Sequence, residues 1–335
     1  MKTQNSTNNK HSSDFESLWF IVSVTLFYSV SLCFLLFPQN IQARETSDNI
    51  LIVYQKSQGF SQQLISHLQK NMLANGYKTD TFILPSNDSS EKLHALKIKK
   101  SKLIIAIGSQ TTQSLLNANI KTPILSTLIP RHVYKSLQLK HKNKHNWSSL
   151  LINQPIDRQF HLISAVLGKN KKTAVLLGPY TKDLNKSLIK ASTKTAHPIQ
   201  IQEIENSDQL PETLESFKGS IDVMLTIPDP VVYNKNTLRN ILLSSYRHKL
   251  PLIGFSQSYV KAGAIAAIYS EPKQISRQIT SIIKSFFNRG SFNKTVYYPA
   301  DFSVALNKNI ARSLGIKLAT NRTIINRIKK AEKKQ

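Results

Sequence analysis

The sequence predicts an α/β protein of two Rossmann-like lobes, each built on a parallel sheet. Three observations carry this. From Asn49 onward, short apolar runs alternate with amphipathic stretches of helical period, the pattern of parallel strands joined by crossover helices. The alternation breaks once, at a basic and poorly periodic stretch from Arg131 to Trp147, and then restarts. A length of 335 residues, 40% hydrophobic and 19% charged, is enough for two ordinary domains with buried cores.

Taken in order, Ile50 to Tyr54 reads as a buried strand. Phe60, Leu64, Ile65, Leu68 and Met72 then share one helical face, which Gly76 closes. Thr79 to Leu84 is a second strand, Glu91 to Ile98 a short helix, and Leu103 to Ile107 a third strand that runs into Gly108 and a helix start. Pro123 to Leu128 is the fourth strand, and 131–147 is expected to be an exposed connection. The second half opens with a strand from Ser148 to Ile152 and a helix from Asp157 to Leu167. Strands follow at Thr173–Leu177, Ile199–Ile204 and Val223–Ile227, separated by helices at Leu184–Thr195 and Leu210–Phe217. Leu238, Ile241, Leu242 and Tyr246 mark the next helix. The halves are alike in length, but no clean sequence repeat joins them.

Lys and Arg number 45 against 19 Asp and Glu, a formal net charge of +26. Such a balance suits an anionic partner or scattered solvated faces. The densest runs, 135–144 and 322–334, interleave no aromatic stacking platform, which argues against nucleic acid. The single cysteine, Cys33, lies in an apolar N-terminal run, so the rest of the chain has neither disulfide nor thiol chemistry. Leu18 to Phe37 carries no charge and, at about twenty residues, is long enough to cross a bilayer. Small Ala43, two residues after Ile41, suits a peptidase site. Residues 1–47 therefore read either as a cleaved secretory signal or as an uncleaved membrane anchor, and both place the remainder outside the cytoplasm.

The closing stretch is the most distinctive. It reads Pro251-Leu252-Ile253-Gly254-Phe255-Ser256, then Val260-Lys261-Ala262-Gly263-Ala264-Ile265-Ala266. A helical run with Ile275, Ile279, Ile282, Ile283 and Phe286 follows, which Ser270 can cap, Pro272 opens and Gly290 closes. Two short strands, Thr295–Tyr298 and Phe302–Leu306, lead to the segment from Asn307 to Ile316. In its three motifs and their order this stretch resembles the substrate-binding proteins of ABC transporters related to tryptophan and tyrosine binders. The resemblance covers about 48–320 and implies the type I periplasmic-binding-protein architecture, in which the chain crosses between lobes three times. It implies a first lobe of 48–130 plus 251–290 and a second of 148–250 plus 291–320, with 131–147 as connection and 321–335 as a basic tail. It also implies an ABC permease as partner and no enzymatic activity.

In open parallel sheets ligands bind beyond the carboxyl ends of the strands. The loops there nominate Tyr54, Ser57, Ser109, Gln110, Thr111, Tyr180, Asp229 and Ser256 as ligand-binding residues. Gly108 and the amides after it suit a carboxylate or phosphate, with Ser109 and Thr111 adding hydroxyls; Ser109 equally suits plain N-capping. Asp229, between two prolines, is either the partner of a ligand ammonium or a cap for the next helix. Tyr54 and Tyr180 either stack on a planar ligand or pack at a lobe edge. Many relatives carry an Asp-Pro pair where this chain reads Leu128-Ile129-Pro130-Arg131, which puts an amino-acid ligand in doubt, and Lys56 and Arg131 nearby suit an acidic solute. No cofactor or metal is expected: His141 and His145 lie in a lysine-rich loop, and no Walker loop, G-x-G-x-x-G or G-x-S-x-G motif occurs. The expected function is extracytoplasmic capture of a small polar solute. The alternative is a membrane-anchored sensor using the same fold.

Overall fold

The structure, a computed structural model, describes residues 49–56, 58–85, 101–142 and 144–334. The uncharged stretch 18–37, Cys33, the helix expected at 91–98 and Ser57 lie outside these residues. Among the described residues no helix is long and apolar enough to cross a membrane.

Elements are numbered along the chain. The first sheet holds β1 (Ile50–Gln55), β2 (Thr79–Leu84), β3 (Leu103–Ile107), β4 (Ile124–Ile129), β5 (Trp147–Leu151) and β11 (Val296–Tyr297). They lie in the order β2-β1-β3-β4-β5-β11, all parallel. The second holds β6 (Thr173–Leu177), β7 (Ile199–Glu203), β8 (Val223–Leu225), β9 (Leu252–Gly254), β10 (Ala266–Tyr269) and β12 (Ser303–Leu306). Their order is β7-β6-β8-β9-β10-β12, parallel except for the last strand. The first five strands of each sheet therefore repeat one parallel order that sequence similarity did not reveal.

Helices cover both faces of each sheet, which is why the central strands are apolar throughout rather than alternating. On the first sheet, α1 (Phe60–Leu73) shares a core with a long helix late in the chain, while α2 (Ser109–Asn117) and α3 (Arg131–Lys140) take the other face. On the second sheet, α4 (Ile156–Leu167) and α5 (Asn185–Thr195) lie on one face. The other face carries α6 (Leu210–Glu215), α7 (Lys235–Arg247) and α8 (Gln257–Ala262). The long helix is α9 (Pro272–Arg289), and α10 (Lys308–Ser313) and α11 (Asn321–Glu332) end the chain.

Several expected boundaries are corrected. The strand at 147–151 pairs with β4 and belongs to the first sheet, not to the second half. β9 and β10 lie in the second sheet; of the stretch assigned to the first lobe at 251–290, only α9 packs there, burying Ile275, Ile279, Ile283 and Phe286. β11 pairs with β5, so the segment after 291 is divided between lobes. The connection at 131–147 is mostly helix α3, which buries Tyr134 and Leu137. The basic tail is α11, whose Ile324 and Ile328 are fully buried against α4 while its cations face solvent. A 3.6-residue stripe of isoleucines among lysines was misread as charge alone.

Three crossings thus remain, at 152–155, 270–271 and 298–302, and one buried side chain joins them. Arg158, 6% exposed, donates from Nη1 to Gln154 Oε1 (2.9 Å) and to the Pro299 carbonyl (2.8 Å). Its Nη2 reaches the Ala300 carbonyl (3.3 Å), its Nε reaches Glu332 (2.5 Å), and its guanidinium lies 4.6 Å over the Phe302 ring. Gln154 Nε2 donates to Ser270 Oγ (2.8 Å), which donates to the Asp301 carbonyl (2.7 Å). Ser270 is therefore a joint residue rather than the α9 cap; Glu271 caps that helix in a box with Gln274. Arg158→Ala should destabilise the fold by about 3 kcal/mol, because it strands Glu332 and two carbonyls. Urea denaturation of Arg158→Ala beside Arg158→Lys checks this, with lysine restoring only part of the loss because it lacks the planar fork.

Candidate ligand-binding cleft

Strand order reverses between β1 and β3 in the first sheet and between β6 and β8 in the second, so each lobe has a topological switch point where a ligand can reach helix N-termini. In the first lobe Gly108, at φ 93°, turns β3 into α2 and occupies the N-cap position without side-chain capping. Ser109 is consequently not the cap, and its hydroxyl has no hydrogen-bond partner among the described residues. The first-turn amides of Ser109, Gln110 and Thr111 have no intrahelical acceptors. Gln110 is exposed, whereas Thr111 is 1% exposed and faces the core. Tyr54 is half-buried and packs on the α1–α9 core. At the end of β4 a register shift between Thr127 and Ile129 coincides with Leu128 at φ 56°, and this bulge turns the chain into α3 at Arg131.

In the second lobe Asp229 is 2% exposed and saturated by its own lobe. Its Oδ2 accepts from the Tyr180 amide (3.1 Å) and Thr181 Oγ1 (2.9 Å), and its Oδ1 from the Val231 amide (2.9 Å). The carboxylate ties the β6 loop to the β8 loop and is not free for a ligand ammonium. Gly178 is required beside it, since a Cβ there would sit 2.4 Å from Asp229 Oδ1. Ser256 caps α8, accepting from the Tyr259 amide at 3.3 Å. Tyr180 is 53% exposed and meets His132 of the first lobe edge-on, ring centroids 5.5 Å apart. The structure thus leaves Gln110 and Tyr180 exposed and Ser109 half-buried at strand ends, engages Asp229 and Ser256 within their own lobe, buries Thr111 and half-buries Tyr54.

Sequence reading missed a clasp between the lobes. Arg131 at the start of α3 pairs with Asp183, which follows β6, through Nη1 (3.0 Å) and Nη2 (2.9 Å); Lys135, one turn on, pairs with the same carboxylate. Asn153 in the first crossing fixes the entry to α3 by accepting from the Arg131 amide at 2.7 Å. Partial burial alone would raise the Asp183 pKa, but hydrogen bonds and charge from Arg131 and Lys135 outweigh it and hold the carboxyl below its usual range. Burial also opposes the charge of Arg131, and Asp183 more than restores it. His132 is lowered, mainly by burial, with the charge of Asp229 acting against. No local motif announces these partners, which lie 52 and 48 residues apart. Among the described residues no three His, Cys, Asp or Glu side chains form a metal-sized group.

Two parallel-sheet lobes joined by three crossings over a cleft define a two-lobed binding protein of the type I periplasmic architecture. Residues 47–327 match the family model described as ABC transporter substrate binding protein, and the chain belongs to that family. No curated protein matches it. Among solved structures, a ligand-free, open substrate-binding protein with adhesive properties from Clostridium difficile is 18% identical. Its TM-score is 0.63, over 82% of this chain and 97% of that one. The ABC domain in complex with L-Trp from Streptococcus pneumonia is 16% identical, with a TM-score of 0.54 over 81% and 95%. A conserved domain protein from Vibrio cholerae is 18% identical, with a TM-score of 0.55 over 84% and 98%. At these identities the likeness is one of fold.

Acidification should open the clasp. A lowered carboxylate pKa contributes stability above its unfolded value that is lost as pH falls through the folded one, and a lowered histidine pKa costs stability below the ordinary histidine range. Asp183→Asn should change global stability by only about 0–1 kcal/mol, because the pair is partly exposed. It should nevertheless enlarge the radius of gyration by small-angle scattering at neutral pH, and make that radius less sensitive to acid and salt. Gly178→Ala, in contrast, should cost about 1–3 kcal/mol through its clash with Asp229, read as a lower thermal midpoint.

Proposed function

We propose that this chain is an extracytoplasmic solute receptor that traps a small polar molecule between its lobes and presents it to an ABC permease. The observation that carries the reading is a switch point in each of two lobes joined by three crossings, with the open first turn of α2 at one of them. Membership of the family supports work outside the cytoplasm, where substrate-binding proteins of ABC transporters act.

The chemistry of the cleft favours an anionic solute. Asp229 and Asp183, the acids that follow β8 and β6, are both taken by protein donors. The amides of α2, the Ser109 hydroxyl and Lys56 remain as donors, which suits a carboxylate or phosphate. A relative of the same fold was solved with L-Trp; here an amino acid would keep a site for its carboxylate while its ammonium met no free acid among these cleft residues.

Thermal unfolding of the protein against a panel of organic acids, phosphates, amino acids and nucleosides tests the proposal. A true solute at a hundredfold excess over its Kd adds about 2.7 kcal/mol of stability, visible as a raised midpoint. Organic acids or phosphates should give the largest rise. A flat response from folded protein would favour the anchored sensor, for which the uncharged run from Leu18 to Phe37 is the supporting feature.

A further inference from the structure

The six strands of the first sheet run parallel, so their N-terminal ends lie side by side along one edge, at the end of the lobe opposite the switch-point loops. A lysine leads into every strand of that edge except β1. Lys78 precedes β2, Lys102 β3, Lys121 β4, Lys144 β5 and Lys294 β11. At about 4.8 Å between neighbouring strands, the row extends over about 24 Å. Among the described residues of these strands and the turns leading into them, Asp80 is the only acid, and Asn49 Nδ2 donates to it at 2.9 Å.

Helix ends widen this charge and add apolar groups. α1, α3 and α9 end at the same edge, with Lys70, Lys140 and Arg289 in their last turns. Helix dipoles account for those three cations but not for the lysines ahead of the strands. Leu73 closes α1 and Leu139 stands in the last turn of α3. At 78% and 68% they are the most exposed large apolar side chains among the described residues. α1 and α3 cover opposite faces of the sheet, so a leucine flanks the lysine row on each side. A single exposed leucine needs no explanation. A row of cations bordered by apolar groups on both sides matches a surface that seats on lipid headgroups.

We infer that this edge docks the first lobe on an anionic phospholipid bilayer. The lysines meet headgroup phosphates, and Leu73 and Leu139 enter the boundary between headgroups and acyl chains. Nucleic acid fits less well, because base stacking needs exposed aromatic rings and these flanks are aliphatic. The chain also enters the fold at this edge, where Ile50 opens β1. The segment 38–49, about twelve residues, extends to at most about 43 Å, so an uncleaved run at Leu18 to Phe37 would hold this edge within reach of the bilayer. Docking here leaves the switch-point loops free at the other ends of the same strands. It goes beyond the solute-receptor reading and does not depend on it.

Residues Asp48–Gln335 form one compact unit with the apolar cores of both lobes, so this unit, free of the uncharged run, is the protein to test. Co-sedimentation is measured with vesicles of phosphatidylcholine alone and of an equimolar mixture with phosphatidylglycerol. Three variants, their folding verified by circular dichroism, are compared with the wild type. The first combines Lys78→Glu, Lys121→Glu and Lys294→Glu. The second combines Lys308→Glu, Arg312→Glu and Lys317→Glu, which reverses as many exposed cations on the second lobe. The third combines Leu73→Ser and Leu139→Ser. The wild type should bind the anionic vesicles, less so as salt rises, and should not bind the neutral ones. The first variant should bind about a hundredfold or more weakly, at roughly fivefold for each charge lost. The second should stay within about threefold, because charges beyond a Debye length from the bilayer are screened, and the third should lose about tenfold. Equal binding to both vesicle types, or binding to neither, overturns the proposal. So does equal weakening by the two charge reversals, which would show attraction by net charge alone. A wild type that leaves the vesicles for a duplex oligonucleotide, and loses that duplex in the first variant, would assign the edge to nucleic acid and overturn it too.

Discussion

Arg158 holds the two halves of this protein in register. Each crossing between the sheets brings backbone carbonyls into a buried joint where no strand can pair with them, and unpaired groups there are costly. A guanidinium offers five donors in a plane, enough for Gln154, Pro299, Ala300 and Glu332 at once. Phe302 backs the same plane, so the charge is held by packing as well as by hydrogen bonds. With the crossings bound to one another, each lobe can keep its core intact while the angle between them changes.

Acidic side chains are few, and the structure uses them for architecture. Asp229 closes the loops of one lobe upon each other, Asp183 reaches across to the other lobe, and Glu332 serves the hinge. Such use leaves neither Asp229 nor Asp183 free for a ligand. The same physical fact accounts for the anionic preference proposed for the cleft.

Much of the fold was legible in the residues. The strands from Ile50 to Leu225 and the amphipathic helices lie close to where the apolar periods put them, and Gly108 and Gly290 turn the chain where a positive φ is needed. The switch-point loops were legible too, because they follow from strand ends. Individual contacts were less so. Ser109 was weighed as a cap, yet Gly108 holds that position; Asp229 was weighed as a ligand partner, yet donors from the Tyr180 loop reach it first. Nothing near Asp229 in the chain reveals a neighbour 49 residues away.

The sequence by itself determined which segments are strands and helices, their order, and that they form parallel sheets buried on both faces. Local period and turn chemistry decide these things without reference to distant residues. Only the tertiary structure decided which sheet each strand joins. β5, β9, β10 and β11 were assigned to the wrong lobe because a strand buried on both faces shows the same apolar run whichever partner it has. It also decided that Arg131, Asp183, Gln154 and Arg158 do the work of the hinge and clasp. Their roles depend on distances through space between polar and charged side chains that are ordinary surface residues when read along the chain.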